Sequence, residues 1–436
     1  MSERVIQRFV NPDYSTWIDM CENFIEDDDE IKNTVGEIIE RVRLGGDEAL
    51  MKLCLELDSY NVYDSFLGLS PEDIIEAETK VSPEVLKAIE TAAKNIEKFH
   101  RAQMPQTIEV ETMEGIHCIQ KPVPIRRIGI YIPGGTAPLF STVLMLAIPA
   151  KIAGCSEIVL CTPAGKYGRV SPEIIYAAKF CGVDRFYKVG GAQAIAAMAY
   201  GTETIPRVDK IFGPGNKYVM TAKQMVSNYT AIDMPAGPSE VMVIADDKAN
   251  PRFVAADLLS QAEHGRDSRI VLVCKSVEFS DKVIRELNSQ EKLLPRRDIT
   301  SESMSKSFIV VFDSDLDMIE FANMYAPEHL IIQTENPAWI ANSITSAGSV
   351  FLGEYSPESA GDYASGTNHT LPTNGWAHCY SGVNIDSFMR KMTIQELSRS
   401  GLKKIGKTIV TMAEAEGLQA HANAVKVRLS KKDNLI

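Results

Sequence analysis

The stretch Arg127-Ile-Gly-Ile-Tyr-Ile-Pro-Gly-Gly135 joins a short run rich in β-branched and aromatic residues to a pair of glycines. Such a run favours a buried strand, and the glycines allow a sharp turn where it ends. Similar runs alternate with helical stretches along the chain and cover residues 157–161, 185–189, 210–212 and 241–245. This alternation is typical of right-handed β-α-β units, so the sequence predicts an α/β fold with a mostly parallel sheet.

A second series of alternating segments follows the first. We expect a helix over residues 252–264, a strand over 270–274, a helix to about 294, and strands over 308–312 and 350–352. Two α/β modules are therefore predicted. Residues 30–105 precede them with helical periodicity, and Ser82 is placed to cap a helix that starts at Pro83. Near the end of the chain, residues 394–417 again have a helical pattern.

Composition limits the class of protein. The 436-residue chain is 45% hydrophobic and 24% charged, so it can bury a core large enough for two or more domains. Its formal net charge of -13 would repel nucleic acid and anionic membranes, which we exclude as partners. The sequence has neither an apolar run of about 18 residues nor a signal-peptide pattern, so we expect a cytoplasmic protein. Its eight cysteines form no CxxC pair and mostly stand among apolar residues, which indicates reduced core thiols.

Three glycine turns follow three of the predicted strands. They are Tyr131-Ile-Pro-Gly-Gly135, Val189-Gly-Gly-Ala-Gln193 and Phe212-Gly-Pro-Gly-Asn-Lys217. In an open parallel sheet, ligands bind at the carboxyl ends of the strands, where glycine lets backbone amides approach a phosphate. A nucleotide cofactor is one hypothesis. None of the turns has the GxGxxG pattern, so ordinary turn chemistry is the alternative.

Gln261 and His264 stand three residues apart at the end of the predicted helix, and therefore on one face. An amide oxygen and an imidazole converge there, although a solvated helix end is the ordinary interpretation of such a pair. A catalytic zinc ion takes about three or four nitrogen and oxygen ligands from the protein and keeps one position open. Asp362 and His421 are the candidates for the remaining ligands.

The segment Tyr325-Ala-Pro-Glu-His-Leu330 places Glu328 and His329 side by side after a proline that ends a helix. Neighbouring side chains in a non-helical turn can reach one cavity and provide a carboxylate and an imidazole for proton transfer. An ordinary polar loop is the alternative. Residues 359–373 form a long polar segment with glycines, which favours a functional loop.

Eight segments, in order over nearly the whole chain, carry a resemblance to a known family. They are Tyr131-Ile-Pro-Gly-Gly-Thr-Ala-Pro-Leu-Phe140, Gly190-Gly-Ala-Gln-Ala-Ile195, Gly213-Pro-Gly-Asn216, Pro235-Ala-Gly-Pro-Ser-Glu240, Gln261-Ala-Glu-His-Gly265, Ala326-Pro-Glu-His-Leu330, Ala360-Gly-Asp-Tyr363 and Glu416-Gly-Leu-Gln-Ala-His421. Chance agreement of so many ordered segments is implausible. The chain resembles the histidinol dehydrogenase family.

The resemblance implies an NAD-dependent, four-electron oxidation of L-histidinol through L-histidinaldehyde to L-histidine, the last steps of histidine biosynthesis. It implies zinc ligands at Gln261, His264, Asp362 and His421, and an acid–base pair at Glu328 and His329. The implied NAD site contains Tyr131, Gln193 and Asn216. The implied substrate contacts are the zinc ligands, the acid–base pair, Ser239, His369 and Glu416.

The fold implied by the resemblance has two incomplete Rossmann-like modules with mostly parallel sheets, together with small helical terminal segments. On this chain we place an N-terminal helical segment at 1–30, the first module at 31–130 and 240–385, the NAD-binding module at 131–239, and a C-terminal tail at 386–436. The resemblance also implies a homodimer with exchanged tails, in which each tail reaches the partner's site.

Three other functions stay open at this point. A dehydrogenase of the same fold could oxidise another hydroxy compound, such as a sulfonated diol, although Glu416 and His369 suit an imidazole-bearing amino alcohol better. A cysteine aldehyde dehydrogenase could use Cys118 or Cys155, although neither has a base nearby in sequence. A zinc-bound sensor could bind histidinol without oxidising it.

Overall fold

The computed structural model describes residues 6–22, 29–58, 67–134, 138–165 and 168–430. The chain divides into two compact units, one comprising Met1–Gln103 and Ile125–Ser387 and the other Met104–Pro124 and Phe388–Ile436. Gly135, at the end of the first predicted glycine turn, lies outside the described residues. Among the described residues, no helix has the length and apolar character needed to cross a membrane.

Strands and helices alternate along most of the chain. The strands are β1 (Gln7–Val10), β2 (Ile108–Met113), β3 (Ile116–Pro124), β4 (Arg127–Tyr131), β5 (Glu157–Cys161), β6 (Arg185–Tyr187), β7 (Lys210–Phe212), β8 (Ala231–Ile232), β9 (Glu240–Ala245), β10 (Arg269–Cys274), β11 (Phe308–Val311), β12 (His329–Gln333), β13 (Ser349–Leu352) and β14 (Met389–Leu397). The α-helices are α1 (Tyr14–Cys21), α2 (Asp29–Asp58), α3 (Pro71–Lys80), α4 (Pro83–Arg101), α5 (Phe140–Ala153), α6 (Pro172–Phe180), α7 (Gly191–Tyr200), α8 (Lys217–Val226), α9 (Pro251–Ala262), α10 (Val277–Glu291), α11 (Arg297–Ser305), α12 (Asp315–Tyr325), α13 (Pro337–Ala341), α14 (Glu358–Tyr363), α15 (Arg399–Ala415) and α16 (Gln419–Leu429). Ser82 caps α4 by accepting a hydrogen bond from the backbone N–H of Val85, as predicted.

The first unit contains a five-stranded parallel sheet with the order β6-β5-β4-β7-β8. From β4 the chain adds β5 and β6 on one side and then returns to add β7 and β8 on the other. The strand order therefore reverses between β4 and β7, and ligands of open α/β sheets bind at such a reversal, beyond the carboxyl ends of the strands. This sheet confirms the predicted Rossmann-like organisation of the middle of the chain.

A six-stranded parallel sheet with the order β1-β11-β10-β9-β12-β13 forms the rest of this unit's framework. All six residues of β9 are buried, and alternate residues face two different hydrophobic cores. Val241 and Val243 face one core, and Met242 and Ile244 face the other. A strand covered on both faces has a continuous apolar sequence, which is the pattern that predicted this sheet. The predicted α/β fold with two parallel sheets is confirmed.

Three features of the predicted boundaries are corrected. The segment 1–30, predicted as helical, includes strand β1, which pairs with β11 at the edge of the six-stranded sheet. Strand β4 pairs with β5 in the five-stranded sheet but begins at Arg127, within residues 31–130, which were predicted for the first module. Residues 104–124, also predicted with that module, belong to the second unit. Strand β2 was not predicted and is exposed along its whole length, although Ile108-Glu-Val-Glu111 alternates apolar and acidic residues as a strand does.

The second unit is an antiparallel sheet with helices α15 and α16. Strand β14 pairs with β3, and β3 pairs with β2. The predicted helix over 394–417 is wrong at its start, because residues 394–397 end strand β14 and α15 begins at Arg399. Ser398 caps that helix by accepting a hydrogen bond from the backbone N–H of Gly401. The C-terminal tail, predicted as a helical segment, therefore also contributes a strand to a sheet.

A buried ion pair fixes the glycine turn after β7. Lys223 Nζ lies 2.5 Å from Asp233 Oδ1, and both side chains are almost fully buried. The ammonium also donates to the Gly213 carbonyl oxygen at 2.8 Å, and the Gly213 N–H donates to Asp233 Oδ2 at 2.8 Å. Gly213 has φ of +115°, and an added Cβ would collide with the Tyr131 carbonyl oxygen. Only glycine suits this position.

We predict that Lys223→Met lowers the free energy of unfolding by about 3–5 kcal/mol, because Asp233 would remain buried without its partner. Urea unfolding followed by circular dichroism measures the change. The double variant Lys223→Met, Asp233→Leu should recover most of the loss, since it removes both charges. A single variant as stable as the wild-type protein would contradict the prediction.

Candidate active site

Glu328 and His329 lie where helix α12 passes into strand β12. The helix ends at Ala326, which adopts a left-handed conformation with φ of +51°, and Pro327 follows. His329 is the first residue of β12 and pairs with Val241 of β9. The predicted non-helical turn therefore consists of Ala326, Pro327 and Glu328, and His329 already belongs to the strand. Both side chains are buried, so they are not part of an ordinary polar loop.

A backbone amide holds the Glu328 carboxylate. Its Oε2 accepts a hydrogen bond of 2.9 Å from the N–H of Glu240, the first residue of β9. Burial raises the pKa of Glu328 to about 8. A carboxyl group with a pKa near neutrality can both accept and release a proton at physiological pH, which suits a general acid–base residue.

Carboxylates surround the His329 imidazole. Its Nδ1 lies 3.3 Å from the Glu240 carbonyl oxygen, 3.6 Å from Glu328 Oε2 and 3.7 Å from Glu358 Oε1. Its Nε2 lies 3.6 Å from Asp362 Oδ1. Burial lowers the pKa of His329, but the negative charges of Glu358, Glu328 and Asp362 outweigh it and raise the pKa to about 10. A cation near these carboxylates would offset their charge and favour the neutral imidazole that a base requires.

His264, Glu358 and Asp362 offer one ligand atom each within 4.8 Å of one another. Glu358 and Asp362 stand four residues apart on α14, and therefore on one helix face. His264 follows the end of α9 and is exposed, whereas both carboxylates are buried. The helix predicted to reach His264 ends two residues earlier, at Ala262.

Gln261 lies in the last turn of α9 and is fully buried. Neither its Oε1 nor its Nε2 has a hydrogen-bond partner. Buried amide atoms without partners are rare, and a missing ion is one explanation for them. With His264 and the two carboxylates, this amide completes a set of nitrogen and oxygen donors that suits zinc. The residues therefore fit the predicted metal.

His369 is held between two elements of the first unit. Its Nδ1 lies 2.9 Å from the carbonyl oxygen of Asp362, and its Nε2 lies 3.0 Å from Thr142 Oγ1. The carbonyl can only accept, so Nδ1 carries the proton and Nε2 accepts from Thr142. Thr142 belongs to the first turn of α5, the helix that follows β4. Through His369, Asp362 of α14 therefore lies close to α5, the helix that follows β4.

The predicted NAD-binding residues lie at or just beyond the carboxyl ends of strands β4, β6 and β7 of the five-stranded sheet. Tyr131 ends β4, and its hydroxyl accepts a hydrogen bond of 3.1 Å from the Gly191 N–H after β6. Gln193 lies in the first turn of α7, where its Nε2 donates to Asp58 Oδ2 at 3.1 Å. Asn216 follows β7 and caps α8 with its side chain. The three lie at the same edge of the sheet, beside the reversal of strand order.

The other predicted substrate residues are divided between the units. Ser239 is partly buried and directly precedes Glu240, whose N–H holds Glu328. Glu416 and His421 belong to the second unit and are exposed, at the end of α15 and near the start of α16.

Sequence reasoning missed Glu358, Glu240 and Asp257. Glu358 stands four residues before Asp362, and this spacing on a helix was the available signal. Asp257 stands one helical turn before Gln261 and accepts a hydrogen bond of 2.5 Å from Gln333. Glu240 acts through its backbone, which no side-chain pattern reports.

The eight cysteines form no disulfide among the residues that the structure describes, in line with the predicted reduced thiols, and four of them are buried while Cys379 is exposed. Burial raises the pKa of Cys155 to about 12, so this thiol stays protonated and is a poor nucleophile. Cys118 lies on β3 in the second unit. These positions argue against catalysis through a cysteine.

Residues 22–429 match the family model described as histidinol dehydrogenase. The chain belongs to this family. Histidinol dehydrogenase of Bacteroides fragilis is 55% identical over 421 residues, which cover 96% of this chain and 98% of that protein. The enzyme of Vibrio parahaemolyticus is 52% identical over 404 residues, 92% of each chain.

A crystal structure of histidinol dehydrogenase from Elizabethkingia anophelis has a TM-score of 0.94 and 50% identity, and covers 97% of this chain and 98% of that one. The predicted family is therefore confirmed. Members of the histidinol dehydrogenase family are oxidoreductases by name, and so is this protein.

Proposed function

We propose that the protein is a zinc-dependent, NAD-linked histidinol dehydrogenase, which oxidises L-histidinol through L-histidinaldehyde to L-histidine at the end of histidine biosynthesis. The observation that carries this proposal is the buried Glu328 and His329 pair beside the His264, Glu358 and Asp362 cluster. Proton-transferring groups and a cation site within a few ångströms suit the oxidation of an alcohol that is also a chelator.

The metal ligands in this proposal are Gln261, His264, Asp362 and, from the tail of the second subunit, His421. Zinc, when bound there, would supply a Lewis acid that orients a nitrogen-bearing substrate. Ser239, His369 and Glu416 complete the substrate contacts. His369 presents a neutral imidazole fixed by the Asp362 carbonyl and Thr142, so it orients the substrate and does not exchange protons.

In the first oxidation, neutral His329 takes the hydroxyl proton as hydride leaves the carbinol carbon. NAD supplies the hydride acceptor, with Tyr131, Gln193 and Asn216 lining its site. In the second oxidation, Glu328 removes a proton from the water that adds to the aldehyde, and His329 returns its proton to the aldehyde oxygen. His329 then takes a hydroxyl proton of the hydrate as the second hydride leaves to a second NAD.

Incubation of the purified protein with L-histidinol and NAD tests the proposal. We expect two NADH for each L-histidine formed, since both oxidations use NAD. Binding of histidinol without NADH formation would indicate a sensor. Faster turnover of a sulfonated diol than of histidinol would indicate the paralogous activity. Either result would contradict the proposed function.

Glu328→Gln should slow oxidation of the aldehyde more than oxidation of the alcohol, because only the second step needs an activated water. The amide can still accept the hydrogen bond from the Glu240 N–H, so the local fold is conserved. Single-turnover measurements that start separately from L-histidinol and L-histidinaldehyde compare the two steps. Equal losses would contradict this division of roles.

We also propose a homodimer in which Glu416 and His421 act in the partner's site. Both side chains are exposed in the second unit, which supports a role outside their own unit. Mixed dimers of a His264→Ala subunit and a His421→Ala subunit test it. If the tail acts in the partner's site, one site collects both lesions and the other is intact, so activity returns to about half per dimer.

Verified heterodimers that remain inactive would show that every site carries one lesion, as expected if His421 acts within its own chain. Dimers of wild-type and doubly substituted subunits provide the control. In the exchanged arrangement, each of their sites carries one lesion, so they should be inactive. The two combinations therefore give opposite results.

A further inference from the structure

Glu358 is a buried carboxylate of this cluster that is not among the four proposed metal ligands and has no role of its own in the proposed mechanism. It is the first residue of α14 and is 1% exposed. Neither of its oxygens has a hydrogen-bond partner. The His329 imidazole is near, but its Nδ1 lies 3.7 Å from Glu358 Oε1, beyond hydrogen-bond distance. A polar group that is buried without partners costs free energy, so its presence calls for a ligand or a catalytic role.

The surroundings of Glu358 indicate a cation as that ligand. One of its oxygens lies within 4.8 Å of ligand atoms of His264 and Asp362. Gln261, on α9, is the other fully buried side chain here whose polar atoms lack partners. Two carboxylates balance the two charges of a divalent cation, whereas Asp362 alone leaves one positive charge buried.

We infer that Glu358 is a determinant of metal affinity, because its carboxylate supplies the second negative charge of the cation site that contains His264 and Asp362. This inference rests on the proposed zinc dependence. The inference adds Glu358 to the site of the four predicted ligands. The role of Glu358 is to stabilise the bound ion electrostatically. Residues that support a metal site in this way typically change metal affinity by about 10–100-fold when replaced.

Zinc titration of the metal-stripped, full-length protein tests the inference, with a chromophoric chelator as competitor. Glu358→Gln keeps the shape of the side chain and removes its charge. We expect its dissociation constant for zinc to rise by about 10–100-fold. Glu291→Gln is the matched control, because Glu291 is also buried with an unpartnered oxygen but lies outside the cluster. Its zinc affinity should equal that of the wild-type protein.

Thermal unfolding separates lost affinity from a damaged fold. Metal-free Glu358→Gln should unfold at the wild-type temperature, and its stabilisation by added zinc should be smaller. Glu358→Asp retains the charge and should bind zinc more tightly than the Gln variant, which keeps the test valid if the Gln variant folds poorly. Wild-type zinc affinity in both variants would overturn the inference. A wild-type protein that binds no zinc would overturn the proposed function as well.

Discussion

Replacement of His329 by Ala is expected to slow the oxidation of both L-histidinol and L-histidinaldehyde by ~10² to 10⁴-fold, the usual contribution of a general base. Both steps remove a proton from a hydroxyl group, so both need this imidazole. The side chain is buried among Glu328, Glu358 and Asp362. A water molecule in the space left by the imidazole would be a much weaker base. Single-turnover rates of NADH formation from each substrate measure the two losses.

His378→Ala is the matched control for this variant. His378 is exposed, and its Nε2 lies 3.1 Å from the Met324 carbonyl oxygen, so its loss should leave both rates unchanged. Circular dichroism and zinc content should be the same in both variants. A His329→Ala protein that loses less than tenfold in both steps would contradict the assignment of His329 as the base.

Removal of the metal is expected to abolish turnover. The proposed ligands include buried Gln261, whose amide has no other partner, and His264, which converges with two carboxylates. Without a cation, the carboxylates keep His329 protonated, with a pKa near 10, so it cannot act as a base at neutral pH. Activity should fall to background after chelation and return when zinc is added.

His264→Asn should reproduce the chelated enzyme while retaining the fold. Its metal content, measured by mass spectrometry, should be far below that of the wild-type protein. His378→Asn, at an exposed histidine, should keep both metal and activity. Full turnover by a protein whose metal content is confirmed to be near zero would contradict the zinc dependence.

Several central strands of both parallel sheets, among them β5, β7, β9 and β10, could be predicted from the sequence because most of their residues are buried. Strands β5 and β7 have the predicted bounds, and β10 differs by one residue. A fully buried strand consists of apolar residues, and this signal depends on no distant partner. The exposed strand β2 and the edge strand β1 carry no such signal, and only pairing with β3 and β11 makes them strands.

The residue types of the site could also be read locally. Glu328 with His329, and Gln261 with His264, are neighbours in sequence, and their motifs carried the family resemblance. The family comparison then confirmed the family that those motifs indicated. Local sequence determined these pairs because the members of each pair are at most three residues apart.

Only the tertiary structure decided which groups lie next to each other across the fold. Register between β9 and β12 places the Glu240 N–H on the Glu328 carboxylate, although 88 residues separate them. The arrangement of α14 and α9 places Glu358 beside His264. Such proximity depends on sheet order and helix packing, which are set by long-range burial of apolar surface and leave no mark on the polar residues themselves.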